Sequence, residues 1–243
     1  MKTIDISKTP EVVVDKLASH FVSISNNNEL HSSAYHVSLS GGSTPKLLFN
    51  VLSKRYSDKV NWGNIHFWWG DERCVPPEDP ESNFGEMKKL LLSHISIPAE
   101  NIHRIKGEND PEQEAERYKN EILEYIPVND IGLPVFDWTI LGVGSDGHTA
   151  SLFPFMVPLD RNVITTVARH PDSGQKRVSM GITLLCASRK VSVLVTGLSK
   201  ASIIEDIYRN KKIAKSYPIF YVESGCNAMW MLDEQAASKI NPP

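Results

Sequence analysis

The chain has 243 residues, a length that suits one large domain or two small ones, and its 41% hydrophobic residues are enough for a sizeable core. A net charge of -3 excludes the global basic field of a nucleic-acid binder, so an anionic ligand has to be held by a few local Arg and Lys residues. No run approaches the ~18 apolar residues of a membrane span, and the N-terminus lacks the apolar stretch of a signal peptide.

Residues 1–33 hold at most one good helix, too little for a helix-turn-helix. "AYHVSLS" (34–40) reads as the first strand, and "TPKLLFNVLSKRY" (44–56) as a helix with Pro near its first turn. "NIHFWWG" (64–70) is a second strand, and "SNFGEMKKLLLSHI" (82–95) is helical with Ser82 as N-cap. "PEQEAERYKNEILEYI" (111–126) opens on Pro and acids, the pattern of a helix start. "FDWTILGVG" (136–144) is a nearly continuous apolar strand of the kind found in covered parallel sheets. "RVSMGITL" (177–184), "KVSVLVTG" (190–197) and "PIFYV" (218–222) read as further strands, with a helix over "LSKASIIEDIYRN" (198–210). Strand and helix in alternation predict an α/β fold, a mostly parallel sheet with helices on both faces. Ligands of such sheets bind beyond the carboxyl ends of the strands, so "SGGSTP", "GDERC", "GVGSDGH" and "TGLSK" are expected to converge on one cleft.

Each loop has two readings. Gly41, Gly42 and Ser43 suit a backbone cradle for an anion, or an ordinary turn with Ser43 or Thr44 as N-cap. Asp71, Glu72 and Arg73 are either solvated, or Arg73 binds a phosphate or carboxylate while an acid holds it in place. Gly142, Gly144 and Gly147 spell G-x-G-x-x-G, but late in the chain and with Pro154 cutting off any long helix, which speaks against a dinucleotide site. What remains is His148, a side chain suited to moving protons near neutral pH, and Asp146, able to fix its tautomer. Arg177 heads an apolar strand, and Lys200 lies in the first turn of a helix, where a cation is explained by a bound anion. Cys74, Cys186 and Cys226 have no CxxC spacing and fit reduced thiols of a cytoplasmic protein; no second or third metal ligand stands at familiar spacing from His148.

In order along the chain, "SLSGGSTP", "FWWGDERCVPPEDPESNFG", "LGVGSDGHTASLFP", "RVSMGITL" and "VTGLSKA" resemble the 6-phosphogluconolactonases of the pentose phosphate pathway. The resemblance implies one domain over residues 1–243, a Rossmann-like fold of the sugar-phosphate isomerase type, and hydrolysis of a sugar-phosphate lactone without cofactor or metal. The partner expected is this small molecule; charge and hydropathy point to no nucleic-acid or membrane partner, and the chain is expected to be a monomer or weak homo-oligomer. His148 matches the general base and Asp146 its acidic companion. Arg73, Arg177 and Lys200 match substrate- and phosphate-binding positions, and Gly41, Gly42 and Ser43 a loop lining the site. The related glucosamine-6-phosphate deaminases share the "DGH" loop but follow it with a catalytic Glu, where this chain has "TASLFP". Phe155 departs from the Gly usual after "SLFP". A sugar-phosphate sensor and a deaminase are the rival readings.

Overall fold

The computed structural model describes residues 3–25 and 34–240. In chain order the elements are β1 (Thr3–Ser7), α1 (Pro10–Ser25), β2 (Tyr35–Leu39), α2 (Ser43–Val51), β3 (Ile65–Trp69), β4 (Asp71–Arg73), α3 (Asn83–Leu90), β5 (Ile102–His103) and α4 (Pro111–Tyr125). Then follow β6 (Trp138–Gly142), β7 (Thr165–Arg169), β8 (Lys176–Met180), α5 (Ile182–Cys186), β9 (Lys190–Val195), α6 (Ala201–Tyr208), α7 (Pro218–Gly225) and β10 (Met229–Asp233). Seven strands form a parallel sheet in the order β1-β10-β9-β6-β2-β3-β5. Successive residues of β2, β6, β9 and β10 are buried, which requires cover on both faces of the sheet. The expected α/β fold with a mostly parallel sheet is therefore present. No helix of the described residues is long and apolar enough to cross a membrane.

Local chemistry explains the helix starts. The Ser82 side chain accepts from the Gly85 amide at 3.0 Å, the N-cap read from the sequence. Asp110 caps α4 by accepting from the Gln113 amide at 3.1 Å, and Pro111 fills the position whose missing N–H costs nothing.

Three expectations need correction. The strand at 34–40 is not the first: β1 precedes it and pairs in parallel with β10. "PIFYV" is the body of helix α7, with Pro218 in its first turn; Pro218, Ile219 and Val222 are buried, a helical spacing rather than an alternating one. The third concerns "RVSMGITL", which does not join the parallel sheet. Its strand β8 belongs to a separate antiparallel sheet, β4-β8-β7, and the chain then turns into α5. The two sheets meet at Gly70. Its N–H donates to the Leu39 carbonyl in the parallel sheet, and its own carbonyl accepts from Met180 in the antiparallel one, both at 2.8 Å. One residue thus carries the chain from β3 into β4.

Candidate active site

The segments after β2, β3, β6 and β9 converge on one cleft of ≈ 280 Å³, as the parallel topology predicts. Gly41, Gly42, Ser43, Arg73, His148, Arg177 and Lys200 all line it, and Asp146 stands behind His148. Thr44 and Thr196 tie two of these loops together through their hydroxyls at 2.8 Å.

His148 and Asp146 form an oriented pair. The Asp146 Oδ1 accepts from the His148 backbone N–H at 3.1 Å and from ring Nδ1 at 2.6 Å. Burial works against ionisation of Asp146, but the hydrogen bond and charge of His148 outweigh it and take the carboxyl down to about 2. A carboxylate at Nδ1 fixes the proton there and leaves Nε2 with its lone pair. The glycines beside it serve this geometry. A Cβ on Gly144 would lie 2.1 Å from His148 Nδ1, and one on Gly147, at φ +85°, would lie 2.5 Å from the Tyr217 ring. Here the G-x-G-x-x-G glycines make room for an imidazole and a tyrosine, and no long helix follows them.

Opposite stand the cations. Arg73 and Arg177 face each other across the β4–β8 pairing. The Arg73 guanidinium donates to the Glu81 backbone carbonyl at 2.5 Å, so a main-chain oxygen, not an acid side chain, holds it. Arg177 lies over the Phe153 ring at 5.7 Å, and Phe153 also packs 5.2 Å from the His148 ring. Burial, and then the charge of Arg73, lower the pKa of Arg177. Burial likewise lowers that of Lys200, with Asp146 pulling the other way. Among the described residues, the buried side-chain polar atoms that lack a hydrogen-bond partner are Ser40 Oγ, Arg73 Nε and Arg177 Nε, and all three belong to residues of this cleft. The start of α2, with the amides of Ser43 and Thr44, lines the cleft as well. Its N-cap is Gly42, with no side chain satisfying them, rather than Ser43 or Thr44.

Asp71, on the cleft floor, accepts from the Ser151 hydroxyl at 2.7 Å. Glu72 turns away and accepts from the amides of Arg73, Asn83 and Phe84, each at 2.8 Å, and from the Ser82 hydroxyl at 3.1 Å. Burial pushes its carboxyl up to about 7, against those donors. Glu72 thereby fastens the start of α3 to β4. That bond carries Asn83 into the cleft, a residue that stands in "FWWGDERCVPPEDPESNFG" but has no role assignable from sequence; Ser40, Ser145 and Thr196 are further lining residues that pattern alone did not single out.

Residues 8–230 match the family model described as glucosamine-6-phosphate isomerases/6-phosphogluconolactonase. The 6-phosphogluconolactonase of Haemophilus influenzae is 48% identical over 230 residues, covering 94% of this chain and 95% of that one. Among solved structures, the devB protein superposes with a TM-score of 0.91 at 46% identity over 99% of this chain and 100% of its own. The 6-phosphogluconolactonase of Trypanosoma brucei superposes with a TM-score of 0.85 at 25% identity, over 99% of each chain.

Proposed function

The chain belongs to the family of glucosamine-6-phosphate isomerases and 6-phosphogluconolactonases, its activity is the lactonase one, and we propose that His148 performs it as general base on water. The observation that carries this assignment is the His148–Asp146 pair facing a cluster of cations within one cleft. Asp146 holds the Nδ1 proton, so Nε2 takes a proton from water as the water oxygen bonds to the lactone carbonyl carbon. The carbonyl oxygen becomes an oxyanion; the uncapped amides at the start of α2 supply donors for it. When the ring C–O bond breaks, the imidazolium returns its proton to the departing ring oxygen, and the product is the open-chain acid. Arg73, Arg177 and Lys200 hold the phosphate dianion, with the forked guanidinium groups suited to its oxygens. Their grip fixes the carbonyl beside the histidine, the arrangement from which an oriented attack gains most. The Glu expected of a deaminase after the "DGH" loop is absent, since residues 149–154 read "TASLFP".

The test follows 6-phosphogluconolactone opening, with the spontaneous rate subtracted, and ammonia release from glucosamine 6-phosphate in parallel. His148→Ala is expected to remove most turnover with little change in KM, and Arg177→Ala to raise KM at least tenfold. Undiminished turnover in the first variant would overturn the base assignment, and ammonia release by the wild type the choice of branch.

A further inference from the structure

Three cations already answer the phosphate, and the lactone carbonyl is an acceptor too, so every group assigned so far to hold the substrate itself is a donor. Asn83 is different. It lines the cleft and is 8% exposed. Its backbone N–H donates to Glu72 at 2.8 Å and its Nδ2 donates to the Asp71 carbonyl at 3.0 Å, which fixes both the main chain and the sense of the amide. With Nδ2 committed, Oδ1 is the side-chain atom left on the opposite side, against Gly41. It stands 2.0 Å from where a Cβ on Gly41 would be, so the glycine is what admits it. Among the described residues no protein donor reaches Oδ1, and it is not among the sealed, partnerless polar atoms either. It opens on the cleft as a fixed acceptor among cations.

A phosphate or a carbonyl oxygen has no proton to give such an atom; a hydroxyl does. We infer that Asn83 is a specificity-determining residue whose Oδ1 accepts a hydrogen bond from a ring hydroxyl of the substrate, so that the site reads the polyol as well as the phosphate. The inference rests on the lactonase reading for the identity of that ring. A site built around a hydroxyl discriminates against analogues lacking it, because the buried partner is then left unpaired.

The experiment compares kcat/KM for 6-phosphogluconolactone with that for its 2-, 3- and 4-deoxy counterparts, in wild type, Asn83→Ala and Gly41→Ala. Dissociation constants of 6-phosphogluconate and the matching deoxy acids are measured by calorimetry on the same proteins. Inhibition by inorganic phosphate reports whether fold and cationic clamp survive. Wild type is expected to favour the full polyol over one deoxy compound by about tenfold or more, with that preference falling to within twofold in Asn83→Ala. Gly41→Ala is expected to lose the same preference by displacing the amide. Should Asn83→Ala lose phosphate inhibition, Asn83→Ser replaces it. A preference that persists in the substituted proteins, or wild type indifferent to all three hydroxyls, overturns the role of Asn83. Wild type that fails to accelerate lactone opening overturns the lactonase reading instead, and the calorimetry still decides whether Asn83 reads a hydroxyl.

Discussion

Replacing Gly144 by alanine isolates the histidine geometry from everything else in the cleft. Gly144 has no left-handed backbone torsion, so alanine is allowed there and the added methyl is the whole perturbation. That methyl would stand 2.1 Å from His148 Nδ1, 2.2 Å from Cε1 and 2.6 Å from Asp146 Oδ1. Non-bonded heavy atoms come to rest at roughly 3.5 Å, so the imidazole has to retreat by more than about an ångström and the Nδ1–Asp146 bond cannot survive at its present length. A displacement of that size costs on the order of 100-fold in rate, and loss of the tautomer-fixing bond adds to it, so kcat is expected to fall by about 100- to 10,000-fold. The affected side chains are 28% and 42% exposed, so little packing is lost. The melting temperature is expected to move by less than about 4 °C, the equivalent of roughly 1 kcal/mol for a domain of this size. The assay is lactone opening at several enzyme concentrations with the spontaneous rate subtracted, alongside thermal unfolding. A kcat within threefold of wild type would refute the claim that the Asp146-bound ring position is the catalytic one.

Asp146→Asn presents an amide N–H to Nδ1 and moves the ring proton to Nε2; kcat is expected to drop roughly 100-fold or more while phosphate inhibition stays unchanged, and a parallel loss of both would point to a collapsed loop. Away from the site, His36 is 5% exposed and accepts from the Trp68 indole N–H at 3.1 Å; burial, helped by His66 and His103, lowers its pKa to about 3. An unfolded histidine takes its proton near pH ~6.5, so the stability this neutral ring contributes is complete above that value and is lost as pH falls toward 3. The stability difference between wild type and His36→Gln is expected to shift by about 2 kcal/mol between pH 7.5 and 5, read from urea unfolding, and a difference flat with pH would show that His36 does not titrate as described. Burial pushes the Cys74 thiol up to about 11, so labelling by a thiol-specific disulfide reagent at pH 7.5 is expected to run at least tenfold slower than for free cysteine; equal rates in a Cys74-only protein would show an accessible thiolate.

What the sequence disclosed and what it withheld divide along a physical line. Apolar runs that end abruptly in Gly, Ser or Asp mark strand ends, and parallel topology brings the ends after β2, β3, β6 and β9 to one edge; the meeting of Gly41, Arg73, His148 and Lys200 follows from that rule. The direction of a strand has no such marker. "RVSMGITL" has the pattern of a strand, but its antiparallel pairing with β4 depends on Gly70 bonding to both sheets, a tertiary event without local signature. "PIFYV" is rich in β-formers, yet Pro218 at a helix start and the burial of Ile219 and Val222 on one side prevail. Asn83 was visible as a letter and not as a lining residue, because its place depends on the carboxylate of Glu72 eleven positions earlier.

The same tertiary event that sequence could not show explains where the two arginines of the cleft stand. By leaving the parallel sheet at Gly70, the chain sets Arg73 directly opposite Arg177. Like charges in that relation oppose folding, and each Nε is buried without a partner, so the pairing is held against its own electrostatics by the rest of the sheet. An arrangement of this kind makes sense if the missing interaction arrives with a doubly charged anion, whose binding relieves the repulsion that folding created. Asp71, on the same strand, has one carboxylate oxygen committed to Ser151 from the histidine loop. The antiparallel sheet is therefore the element that places the Arg73–Arg177 pair relative to His148. In this chain the parallel sheet supplies the cleft, and the small antiparallel sheet supplies its arginine pair.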